Sequence, residues 1–138
     1  MTVGIELGSI IDEIGTADFL HAFFSTISGN LELMGKGTRF PIFMNKLYKG
    51  ELAQTDAVGG LKELAIIKSE LSLLKPNKVI WDIQNRKKLP HWGDNISKEI
   101  TDLSNYFVTS TGRDLISSLT EILEELRDRG GIAKIVTI

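Results

Sequence analysis

The sequence predicts a single α+β domain spanning residues 1–138, with one mixed β-sheet of about five strands and about four helices mainly on one face. Three observations lead there. Short apolar runs with strand character stand at both ends and near the middle of the chain. Apolar residues recur at helical spacing in three longer stretches between them. The resulting order, ββ-α-α-α-β-β-α-β, lacks the strict alternation that a parallel α/β sheet requires.

The elements follow in order. Val3, Ile5 and Leu7 alternate with smaller or polar residues, as a half-buried strand does, and Gly8-Ser9 turns the chain back into Ile10–Ile14. Thr16 or Asp18 caps a first helix with a stripe of Leu20, Phe23, Phe24, Ile27 and Leu31, and Gly29-Asn30 offers its stop. Pro41 suits the first position of a short helix ending near Gly50. Thr55 or Asp56 caps a longer helix through Leu74, whose stripe is Leu61, Leu64, Ile67, Leu71 and Leu74. Val79–Ile83, apolar on both faces until Asp82, reads as an interior strand. Residues 84–101 read mostly as loop, and Asn105–Thr109 as a returning strand. Thr111 with Asp114 has the spacing of a capping box for the last helix, striped by Leu115, Leu119, Ile122 and Leu126. Arg127, Arg129, Gly130 and Gly131 end that helix, and Ile132–Ile138 forms a final strand.

A chain of 138 residues buries roughly 65–70% of its unfolded surface, enough for a core without staples. It has no cysteine, which excludes disulfides and thiolate metal sites. The first fifteen residues carry acids and no basic region, unlike a signal peptide, and no apolar run approaches a membrane span. A cytoplasmic protein without membrane partners is expected. The net charge of −2 conceals blocks: residues 1–35 hold five acids and no Lys or Arg. Residues 36–98 hold twelve bases against six acids, and residues 99–138 four bases against seven acids. Separate patches would orient a charged protein partner; interleaved elements would mix the charges, and mixing is the expectation.

The search for chemistry excludes more than it finds. His21 and His91 belong to no HxxxH, HExxH or HxH pattern, and His21 beside an apolar stripe is expected to pack rather than ligate. The stretch from Gly29 to Gly37 has the wrong spacing for a phosphate loop and no Ser or Thr for magnesium. Ser9 lacks the second glycine of a nucleophile elbow. Glu124, Glu125 and Asp128 fall on the wet face of the last helix, with Glu125 placed to pair with Arg129. Asp82, Asp94 and Asp114 are the carboxylates a hydrolase would use; a structural partner for Asp82, Arg86 or Arg113, is preferred. The basic trio Arg86-Lys87-Lys88 lies near Trp81 and Trp92, but a pI of 5.7 argues against nucleic acid. No cofactor motif is present.

The stretch from Asn77 to Leu115 holds both tryptophans. A large aromatic in a loop either closes the core or meets a partner. Trp81, Tyr106 and Phe107 are assigned to the core, and Asn95 and Asn105 to turns. Trp92, His91 and Asp94 are the candidate anchors for a protein partner, with Arg86 and Lys88 as steering charges.

Five segments in order carry a resemblance. They are DFLHAFFSTIS from Asp18, GTRFPIFMNKLYKG from Gly37, NKVIWDI from Asn77, PHWGDNIS from Pro90 and LSNYFVTSTGRDL from Leu103. Together they resemble the bacterial immunity protein 70 family of polymorphic toxin systems. The resemblance implies a small cytoplasmic antitoxin that binds and neutralises a cognate toxin domain; the expected protein is not an enzyme and is a monomer or weak homodimer. Tight immunity pairs reach dissociation constants on the order of 10⁻¹³ M. Two other readings are a small hydrolase around Asp82, Asp94 and Asp114, and a dimeric adaptor pairing through the edge of Ile132–Ile138.

Overall fold

A computed structural model describes residues 1–90, 92–93 and 95–138. Strands β1 (Thr2–Leu7) and β2 (Ile10–Thr16) form the expected hairpin, with Gly8 at φ +63° in its turn. Only a residue without a Cβ takes that angle cheaply. Ile14 is an extra residue opposite Val3 and Gly4, a bulge that drives its side chain into the core. The last strand, β4 (Ile132–Thr137), pairs antiparallel with β1 on one side and with β3 (Glu51–Ala53) on the other. The sheet order is β2-β1-β4-β3. It is antiparallel rather than mixed and has four strands. β4 is interior, so the adaptor reading, which needs its edge, is overturned.

The register divides the two faces. Val3, Ile5, Ile135, Ala133 and Leu52 point to the helices, whereas Glu6, Lys134 and Glu51 stand side by side on the other face. Helix α1 (Ala17–Leu31) starts at Thr16, whose hydroxyl accepts the Phe19 N–H at 3.1 Å. All five residues of its predicted stripe are buried. The helix passes through Gly29-Asn30 instead of stopping there. Helix α2 (Ala57–Leu71) packs on α3 (Leu115–Arg129), and one apolar core joins the three helices to the sheet.

Between α1 and α2 the Pro41 segment winds as a π-helical turn, Phe43–Leu47. Its free N–H groups are met by two distant glutamates. The Glu63 carboxylate accepts from Ile42 and Phe43 at 3.2 and 2.9 Å, and buried Glu32 accepts from Arg39 and Phe40 at 3.2 and 3.0 Å. Burial pushes the Glu63 carboxyl up, against the downward pull of those two N–H groups. The short β3 that follows is absent from the sequence reading, since three residues give no measurable alternation.

The largest departure lies in Val79–Ile83, which is not a strand. It runs along α1, and α1's side chains replace the missing ladder. Thr26 Oγ1 accepts from the Ile80 N–H at 3.0 Å and donates to the Ile80 carbonyl at 3.2 Å. Ser25 Oγ accepts from Ile83 N–H at 3.2 Å, and Asn30 donates to the Lys78 carbonyl at 2.9 Å. Gly29 makes the approach feasible: a Cβ there would lie 2.2 Å from Ile80 Cδ1. Asn105–Thr109 likewise gives only an isolated bridge between Val108 and Asp114. The predicted capping box is displaced. Asp114 itself caps α3, accepting from Ser117 N–H at 3.0 Å, while Thr111 meets the Thr109 hydroxyl.

Candidate functional site

The predicted site residues all fall in the irregular tract 72–114, whose backbone is pinned to α1 and whose rings enter the core. Trp81 and Tyr106 are buried, and Phe107 sits edge-on to Phe19 and Phe23 at 5.8 and 5.3 Å. Trp92 extends this cluster outward. It stands edge-on to Trp81 at 5.5 Å, and its indole N–H donates to the Tyr106 hydroxyl at 2.9 Å. It is 38% exposed, so it is held by the core on one side and bare on the other.

Trp92 lines one recess, its neighbours Pro90 and Gly93 line a second, and the two share Ile96 and Tyr106. One, of about 340 Å³, lies over Phe19, Ile100 and Val108. The other, of about 610 Å³, runs between Pro76-Asn77 and Leu89-Pro90 and is rimmed by Lys75. Leu89 and Leu73 of this tract are largely exposed. Asn105 supports the turn beneath, accepting from Thr101 and Asp102 N–H at 3.1 and 3.2 Å. His91 and Asp94 lie outside the described residues.

The steering charges sit at the other end of the same tract. Arg86 is exposed, its guanidinium beside Gly29 of α1. Lys88 lies 3.6 Å from Asp82, whose other oxygen accepts from His21 Nε2 at 3.0 Å. The partner of Asp82 is thus His21, with Lys88, and not Arg86 or Arg113; Arg113 pairs with Glu121. With Nε2 donating to a carboxylate, Nδ1 is free to accept, and Tyr48 Oη lies 2.6 Å from it. Burial first, then the Asp82 charge, pushes the Tyr48 phenol up, so it stays protonated and donates. The His21 hydrogen bond, followed by the Gln84 N–H, holds the Asp82 carboxyl below its ordinary range. Lys36 lies 4.2 Å above the Tyr48 ring.

This Asp82–His21–Tyr48 chain joins the 79–83 segment, α1 and the π-helical turn, and the sequence reading had placed His21 as a packed residue without its partners. It borders a recess of only about 50 Å³, room for a few waters and not for a metabolite. Of the three hydrolase carboxylates, Asp82 is committed to His21 and Asp114 to the α3 cap. Neither lines any of these recesses. Among the described residues, no group of three His, Asp or Glu side chains is arranged to hold a metal ion. None of the described helices is long and apolar enough to cross a membrane.

Around Trp92 the described residues of the tract form an aromatic and aliphatic surface on irregular backbone, with Lys75 at the rim of one recess. Residues 5–135 match the family described as Immunity protein 70. The chain belongs to that family. The match covers nearly the whole fold, from β1 to β4, so the sheet, the three helices and the irregular tract all lie inside the family's domain. No curated protein and no solved structure matches the chain.

Proposed function

We propose that this Immunity protein 70 chain acts in the cytoplasm as an antitoxin, docking stoichiometrically on a cognate toxin domain and covering or distorting its active site. The observation that carries the reading is Trp92: a large ring in an irregular loop, fixed by the core at its N–H edge and bare on its outer face, within an immunity-family domain. A ring fixed before binding loses little entropy on contact, as a binding hot spot requires. Arg86 and Lys88 steer an acidic patch of the toxin toward it, and His91 and Asp94 contact the toxin beside it. The chain acts as a monomer or weak homodimer, without cofactor, nucleic acid or membrane.

The test is association with the toxin domain encoded beside this chain. Co-expression is expected to rescue growth, and the purified pair to form a one-to-one complex by titration calorimetry. The double variant Arg86→Glu with Lys88→Glu is expected to slow association at least about tenfold at low salt, with the thermal midpoint little changed. An unchanged association rate would remove these residues from the interface. Absence of both complex and rescue would remove the antitoxin reading.

A further inference from the structure

The hairpin carries on its helix-facing side an apolar side chain, Ile10, that no helix covers. Leu7 pairs with Ile10 and Ile5 with Asp12, so Leu7, Ile10 and Asp12 share the face on which Ile5 is buried. Yet Ile10 is 64% exposed. The reason is geometric: the β1–β2 turn and the C-terminal half of α3 line a groove of about 670 Å³. Leu7, Ile10 and Ile122 supply its apolar part.

Its charge comes from both acidic ends of the chain. β4 returns from α3 to pair with β1, and this brings the acidic first block beside the acidic last block, so the expected mixing of charge fails here. Five carboxylates line the groove, from Asp12, Glu121, Glu124, Glu125 and Asp128, against the single guanidinium of Arg129. Three of the five have arginine partners: Glu121 with Arg113, Glu125 with Arg129 at 2.9 Å, and Asp128 with Arg127 at 2.8 Å. Asp12 and Glu124 make no hydrogen bond or ion pair among the described residues and interact with Arg113 and Arg127 only at longer range.

We propose that this groove seats an extended segment of the toxin bearing lysine or arginine, which makes it a second contact, apart from the Trp92 platform. The inference rests on the antitoxin reading. An apolar strip with two uncommitted carboxylates above it matches the two halves of such a side chain. The aliphatic stem lies on Leu7, Ile10 and Ile122, while the cationic head reaches Asp12 or Glu124. An acidic segment would face the net negative charge, and a purely apolar one would leave both carboxylates desolvated without a partner.

Two probes test it. A soluble heptapeptide, Lys-Leu-Lys-Gly-Lys-Leu-Lys, and its glutamate counterpart are titrated into the isotopically labelled full chain. The lysine peptide is expected to shift amides of Leu7–Asp12 and Glu121–Gly130, and the glutamate peptide to leave them still. The isosteric double variant Asp12→Asn with Glu124→Gln, its other amides unmoved, is expected to lose about tenfold in affinity for the lysine peptide and for the neighbouring toxin domain. Shifts centred elsewhere, equal binding of the glutamate peptide, or full toxin affinity in the double variant would overturn the groove assignment while leaving the antitoxin reading intact. A toxin domain that fails to bind the unaltered chain would instead remove the antitoxin reading beneath it.

Discussion

The frame of β1, β2, β4 and α1 to α3 and the irregular tract 72–114 achieve burial by different means. In the frame, backbone groups pair within ladders and helices, and the side chains are left to pack. In the tract, turn hydrogen bonds are supplemented by particular side chains: Thr26, Ser25 and Asn30 of α1 for residues 78–83, and the tract's own Asn105 for the turn at 101–102. A frame tolerates substitution wherever volume is kept. A tract held by turns, buried rings and a few hydroxyls and amides presents Trp92 at a fixed place, and losing one of those polar groups strands backbone that no ladder can take up.

The difference can be broken most forcefully where the two regions meet. Phe107 belongs to the tract yet packs on Phe19 and Phe23 of α1. Phe107→Ala is expected to cost about 3–5 kcal/mol by denaturant titration, as for a core aromatic. A loss under about 1 kcal/mol would show that the tract is not part of the core. Thr26→Val keeps the shape and strands both polar groups of Ile80, for an expected loss of about 1–3 kcal/mol. Hydrogen exchange is expected to quicken at residues 79–83 and to stay slow in β1 and β4; uniform acceleration would mean that tract and frame open together.

Gly29→Ala inverts the usual sign. In an ordinary helix the change gains about 1 kcal/mol, but here the new methyl meets Ile80 Cδ1, and a net loss of about 1 kcal/mol is expected. A higher thermal midpoint would show that Ile80 has room to retreat. The smallest effect is on pH dependence. The Asp82 carboxyl, lowered chiefly by His21, contributes stability that is complete above the ordinary aspartate range near pH 4. That contribution is lost as pH falls through the lowered value. Asp82→Asn should therefore flatten the stability curve below about pH 4 while weakening the fold above it.

Legibility in the sequence follows the same division. The helical stripes, the β1–β2 hairpin and the Arg-Gly-Gly stop of α3 were readable because periodicity and local chemistry determine them. Val79–Ile83 looked like a strand because an apolar run shows how much a segment buries, not what bonds its backbone. The clue was on α1, where Ser25, Thr26 and Ser28 interrupt an otherwise apolar surface and are buried. Of the acids of the hairpin groove, Glu124, Glu125 and Asp128 read as wet-face charges of the last helix. Only the pairing of β4 with β1 makes neighbours of Asp12 and Glu124.

The central claim, that this chain works by occupying a toxin's surface, is tested most directly by titrating it into the neighbouring toxin domain at a concentration far above the dissociation constant. The account predicts that toxin activity falls linearly and vanishes at one equivalent, with the complex recoverable intact. Loss of activity at a few hundredths of an equivalent, continuing with time, would contradict it and point to turnover.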